Sequence, residues 1–124
     1  YSDAIEINAP MLRTFVFSEN TGFICFNSAP HLEKLTLRHS RYHVETGKFL
    51  ESFLALEQLV LNQHSLKFLA AGAGELPTRL PFDLNCLKYL RLENIFLGKL
   101  DVVSCVLCLM RSFQYLQYLE IQVF

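Results

Sequence analysis

The chain has 124 residues, of which 52% are apolar and 19% charged, with a formal net charge of −1. That length suits one ordinary domain with a sizeable core, and the composition excludes a disordered segment. A balance this close to neutrality, with its lysines and arginines scattered singly, excludes a field that would draw the chain to nucleic acid or to an anionic membrane.

No stretch reads as a targeting signal, and the longest apolar run, 102–110, is about half the ~18 residues that a membrane span needs. The sequence begins at Tyr1 and finishes on Y-L-E-I-Q-V-F, so it is expected to be a piece of a longer protein. In chain order, Ile5 and Ile7 alternate as in a strand. A-P-M-L-R-T-F-V-F at 9–17 returns as A-P-H-L-E-K-L-T-L at 29–37, which places Leu12 on Leu32, Phe15 on Leu35 and Phe17 on Leu37. G-K-F-L-E-S-F at 47–53 is predicted to be a short helix with Phe49, Leu50 and Phe53 on one face. The L-x-x-L-x-L frame then recurs at Leu56, Leu59 and Leu61. S-L-K-F-L-A-A-G at 65–72 predicts a helix with Ser65 as its N-cap and Gly72 as its stop, and 72–83 predicts an irregular loop. The frame returns at Leu87, Leu90 and Leu92. Asp101 is expected to cap a helix over 102–112 whose buried stripe is Val102, Val103, Val106, Leu109 and Met110, with Cys105 in that stripe or at its margin and Cys108 peripheral. The last copy of the frame is Leu116, Leu119 and Ile121. Ile5 and Ile7 fit the tail of a sixth copy.

Five such frames form a leucine-rich-repeat pattern. The first leucine of each sits on the turn entering a short strand, and the second and third, two apart, point the same way into a shared core. One repeat cannot bury its apolar edge, but stacked neighbours can. The expected fold is therefore α/β: a leucine-rich-repeat solenoid over 1–124 with short parallel strands on the concave face and loops and short helices on the convex face. The residues alternating with the core leucines then face the concave surface. They are Thr14, Val16 and Ser18; Lys34, Thr36 and Arg38; Gln58, Val60 and Asn62; Tyr89, Arg91 and Glu93; and Tyr118, Glu120 and Gln122. Solenoids use such extended surfaces for binding, so this set is the candidate protein-binding face. With no polar cap beyond Ile5 and Ile7 at one end or Leu119, Ile121 and Val123 at the other, association through the ends is expected.

Catalytic and metal chemistry finds little support. Cys105 and Cys108 form a C-x-x-C, but a zinc site needs a second ligand pair, and Cys25 and Cys86 are isolated. Reduced, partly buried thiols in an intracellular protein are expected, with no metal and no cofactor. G-A-G-E at 72–75 lacks the preceding strand and the following G-K-[ST] of a phosphate loop. His31, His39, His43 and His64 read as turn or surface residues, with no nucleophile elbow to serve. Glu57, Glu75, Glu93 and Glu120 are solitary. Tyr89, Tyr115 and Tyr118 interleave with Lys88 and Arg91 more sparsely than in nucleic-acid readers. The protein is not expected to be an enzyme.

The segments I-E-I-N-A-P-M-L-R-T-F-V-F and S-A-P-H-L-E-K-L-T-L resemble the I-x-x-A-P-x-L-x-x-L strands of plant F-box proteins with leucine-rich repeats. Residues 66–124 are similar to the later repeats of the F-box/FBD/LRR group, in which L-P-x-x-L precedes L-K-x-L-x-L and a helix runs into L-x-Y-L-E-I. Gln114 stands where those relatives place a proline. The resemblance implies a substrate-recognition role in a cullin-based (SCF-type) ubiquitin ligase. An unknown target protein would bind the repeats, and the ligase adaptor would be met through an F-box outside this chain; neither the F-box nor a complete FBD segment lies within it. It implies an intracellular protein, nuclear or cytoplasmic, with no nucleic-acid or membrane partner. The alternative is a leucine-rich-repeat binding or scaffold protein with no ligase link.

Overall fold

The computed structural model describes residues 4–18, 23–38, 53–71, 79–80 and 83–123. Among the described residues, seven strands and two helices run in the order β1 (Ala4–Asn8), β2 (Thr14–Phe17), β3 (Phe23–Ser28), β4 (Lys34–Leu37), β5 (Gln58–Asn62), α1 (Gln63–Ala71), β6 (Tyr89–Ile95), α2 (Leu100–Ser112) and β7 (Tyr118–Val123). Five strands form one all-parallel sheet in sequence order, β2-β4-β5-β6-β7, and β1 pairs with β3 in a separate parallel sheet. The fold is therefore α/β, with short helices in the connections that leave β5 and β6.

Each L-x-x-L-x-L frame builds the same local structure. The amide of its first leucine closes a four-residue turn on the carbonyl three residues earlier: Leu12 on Ala9 (3.1 Å), Leu32 on Ala29 (3.3 Å), Leu56 on Phe53 (3.1 Å), Leu87 on Leu84 (3.2 Å) and Leu116 on Phe113 (3.3 Å). Pro10 and Pro30 hold the second position of the first two turns, where their fixed φ suits the bend. The last turn closes with Gln114 at that position, so proline is not required there. The residue opening each turn belongs to the apolar pattern as well. Ala29, Phe53, Leu84 and Phe113 are all buried, which lengthens the frame by three residues at its start.

Register then stacks the frames. Phe15, Leu35, Leu59, Leu90 and Leu119 are successive partners across the sheet, as are Phe17, Leu37, Leu61, Leu92 and Ile121. From β4 to β6 both rows are fully buried, and each leucine contributes on the order of 2 kcal/mol by leaving water. The helices cover this face, adding Leu66, Leu69 and Ala70 from α1 and Val102, Val106 and Leu109 from α2 to the same core.

Several expectations are corrected. Ile5 and Ile7 lie on β1, beside Ile24 and Phe26 of β3, and so outside the five-stranded sheet. Their alternation suits either sheet, and the tight A-P turn between β1 and β2 carries the chain from one to the other. Helix α1 starts at Gln63, and its cap is Asn62, whose Oδ1 accepts from the Ser65 amide at 2.9 Å. Ser65 instead buries its hydroxyl and donates to the Leu37 carbonyl at 2.8 Å. Helix α2 starts at Leu100 with Lys99 in the capping position and no side-chain cap bond, while Asp101 pairs with Lys67 of α1 at 3.0 Å. The buried arc of α2 runs through Val102, Cys105, Val106, Cys108, Leu109 and Ser112. At about 100° per residue, Met110 lies well off the centre of that arc, and it is exposed, whereas Cys108 is buried. The helix predicted at 47–53 falls outside the described residues except for Phe53, and so do 72–78, His39 and His43.

Candidate functional site

The sheet face turned away from the helices carries the residues that alternate with the core rows. Thr14, Lys34, Gln58, Tyr89 and Tyr118 form one row by register, and Val16, Thr36, Val60, Arg91 and Glu120 form the next. Arg38, Asn62 and Glu93 follow at the strand exits, Ser18 lies just past β2, and Gln122 lies past an irregularity in the β6–β7 pairing. Strand geometry thus brings the two rows of the predicted set onto one face, because side chains two residues apart point the same way, while Ser18, Arg38, Asn62, Glu93 and Gln122 lie at or beyond the ends of that regular pairing.

The members differ in how free they are. Lys34, Val16 and Tyr118 are exposed, and Lys34 has no ion-pair partner among the described residues. Tyr89 and Tyr118 stack with ring centroids 4.7 Å apart and planes 2° from parallel. The Tyr118 hydroxyl donates to Glu120 Oε1 at 2.9 Å, and this bond to a carboxylate raises its pKa.

Glu93 departs from the expectation of an open surface residue. It is only 7% exposed, and its carboxylate is gripped by Arg38 from two strands away: Arg38 Nε donates to Oε1 at 2.6 Å and Nη2 to Oε2 at 3.2 Å. Arg91 Nε lies 3.2 Å from Glu93 Oε2 and 3.4 Å from Glu120 Oε2, but its N–H is buried and satisfies neither at hydrogen-bonding angle. Hydrogen bonding by Arg38 holds the Glu93 carboxyl below the usual range against the opposing effect of burial, with Arg91 adding to the charge effect. The same bond raises the Arg38 pKa. The next residue, Asn94, has φ 55°, and the pairing with β7 shifts register between Leu92 and Ile95. A local bulge of this kind re-aims side chains at a strand end. Asn62, at the same level on β5, is engaged in capping α1.

Sequence reasoning missed this clasp because its partners stand 55 residues apart and neither belongs to a motif. Chemically the arrangement supplies fixed charge. Glu93 stays ionised at neutral pH, so it has no proton to give. The thiols of Cys105 and Cys108 lie on the helix side of the sheet, and burial raises the pKa of both. Among the described residues there is no group of three or more His, Cys, Asp or Glu able to hold a metal ion, and no helix long and apolar enough to cross a membrane.

Compared with family models, with curated proteins and with solved structures, the chain has no match.

Proposed function

We propose that the chain is a leucine-rich-repeat solenoid whose open sheet face holds a target protein, as the substrate-recognition part of an F-box subunit of a cullin-based ubiquitin ligase. One observation supports the binding role above the others: five frames contribute in register to a single face that presents an exposed valine, a stacked tyrosine pair and a lysine with no ion-pair partner among the described residues. Tyrosines of this kind supply contact area at low entropic cost, and they are enriched where proteins bind proteins. The Arg38–Glu93–Arg91–Glu120 group gives this face rigidity, and Lys34, Val16, Val60 and Tyr118 give it contact. The ligase role rests on the resemblance to plant F-box/FBD/LRR proteins. In that role the repeats make and break no bond. They raise the local concentration of target near a ligase-bound ubiquitin carrier.

The test uses the full-length reading frame, tagged and captured from its own cells. The cullin adaptor is expected to co-purify with it. Lys34→Glu combined with Val60→Lys should release the target while retaining the adaptor. Capture of a target without adaptor would leave a binding or scaffold protein with no ligase link. Retention of every partner by the folded double variant would reject this face as the site.

A further inference from the structure

The charged residues of the open face are paired unevenly. Glu93 is the most enclosed of them. Its side chain is 10% exposed, against 42% for Arg38 and 32% for Arg91, the two arginines at its oxygens. The clasp therefore buries its negative end and leaves its positive ends in water. Arg38 spends Nε and Nη2 on Glu93 and keeps Nη1. Arg91 approaches Glu93 and Glu120 through Nε, which makes no hydrogen bond, and its two Nη groups reach solvent without an acceptor among the described residues. Lys34 stands exposed four residues before Arg38. Among the described residues of this face only Glu120 offers a reachable carboxylate against these three cations, and it already accepts from the Tyr118 hydroxyl. At the strand entries charge is even, with Arg13 paired to Glu33 and Lys88 offsetting Glu57. The open face is thus cationic at its centre although the chain carries a net charge of −1.

On the reading that this face holds a target protein, we infer that the target is recognised through an extended acidic segment, with one carboxylate at Lys34 and a second at the Arg38–Arg91 pair. A guanidinium takes a carboxylate through two parallel N–H donors, and the Nη groups of Arg91 present such a fork. Nothing has to break to admit the ligand, because Glu93 keeps both of its bonds to Arg38. The spacing of the cations sets the segment. Lys34 and Arg38 stand about 13 Å apart along an extended backbone. Acidic residues at the first and fifth positions of an extended peptide match that distance, and both point the same way. The third position then comes down on Thr36 and Val60, which are half-buried and paired in register, so a small apolar side chain fits there. Nucleic acid is the poorer occupant, since three cations beside the Glu120 carboxylate neutralise few phosphates.

The probe is the peptide acetyl-E-S-V-S-E-amide, titrated into the isotope-labelled 124-residue chain at low salt. Binding is followed by nuclear magnetic resonance through the Nε–H signals of Arg38 and Arg91 and the amides of β4 to β6. Saturable shifts at Lys34, Val60 and Arg91 are expected, and they should weaken as salt rises. Arg91→Gln should lower the affinity about tenfold. Lys34→Gln, at an exposed position where the fold is not at risk, should lower it about threefold. No shift at these residues, an equal response to acetyl-Q-S-V-S-Q-amide, or tighter binding of the thymidine trinucleotide, which has the same charge, would overturn the inference. Capture of the target by the full-length protein separates acidic recognition from the use of the face. Lys34→Gln combined with Arg91→Gln should release the target, and so should Val60→Trp, which blocks the face by bulk. Release by Val60→Trp alone keeps the face as the site and overturns acidic recognition. Release by neither rejects the face itself, and the inference with it.

Discussion

Arg38 and Glu93 carry the strongest single-residue consequence. A hydrogen bond between charged groups contributes more than a neutral one, and here the acceptor is buried. Glu93→Gln is expected to cost about 1–3 kcal/mol of stability, measured by denaturant unfolding. A double-mutant cycle with Arg38→Met would assign the coupled part. The pH dependence follows from the direction of the shift. Glu93 has a folded-state pKa below its unfolded value. Its contribution is therefore complete above the unfolded value of about 4.3 and is lost as pH falls through the lower, folded value. Stability of the parent should drop more steeply with acid below about pH 4.3 than that of Glu93→Gln. Arginine stays protonated throughout, so Arg38 adds no window of its own. The thiols make a separate prediction. Cys86 is exposed, whereas burial raises the Cys105 and Cys108 pKa values and lowers their thiolate fraction. Brief alkylation of the native protein at neutral pH, read by peptide mass spectrometry, should modify Cys86 before either of them. At this scale the sequence was least informative. It could list Glu93 and Arg38 as alternating residues but not pair them, because nothing local relates positions 38 and 93.

Elements were legible to the extent that their own period carried the information. The leucine frames were, because the turn leucine and the two strand leucines are all enforced by one core. Burial of the residue opening each turn was not, since alanine, phenylalanine and leucine share those positions and hide their common role. Helix caps were legible only to within a turn: Asn62 and Ser65 are both good capping types, and Asn62 wins by standing just before the first turn. Asn62→Ala should therefore cost about 1 kcal/mol, seen as a lower midpoint in denaturant. The two faces of α2 also misled, because an apolar stripe on each side lets the arc be centred on either. The true buried side is fixed by Ser112. Its hydroxyl donates to the Cys108 carbonyl at 2.7 Å and accepts from the Leu80 amide at 2.8 Å. Ser112→Ala strands that buried amide and should cost about 1–3 kcal/mol, checked against Ser104→Ala, which loses only an exposed bond within the helix.

For the molecule as a whole, the repeat foretold a parallel sheet in sequence order, and the five strands follow it. The second small sheet was hidden because a strand before the turn and a strand after it alternate alike. Stacked layers usually hold only their neighbours, so that a stack can open from an end one layer at a time. The Arg38–Glu93 clasp passes over β5 and joins layers that do not touch in the sheet. It should make β4, β5 and β6 a single opening unit. Amide hydrogen exchange would then report one common free energy for these strands. In Glu93→Gln, β4 should begin to exchange ahead of β6. One side-chain bridge would thus set the grain at which this protein comes apart.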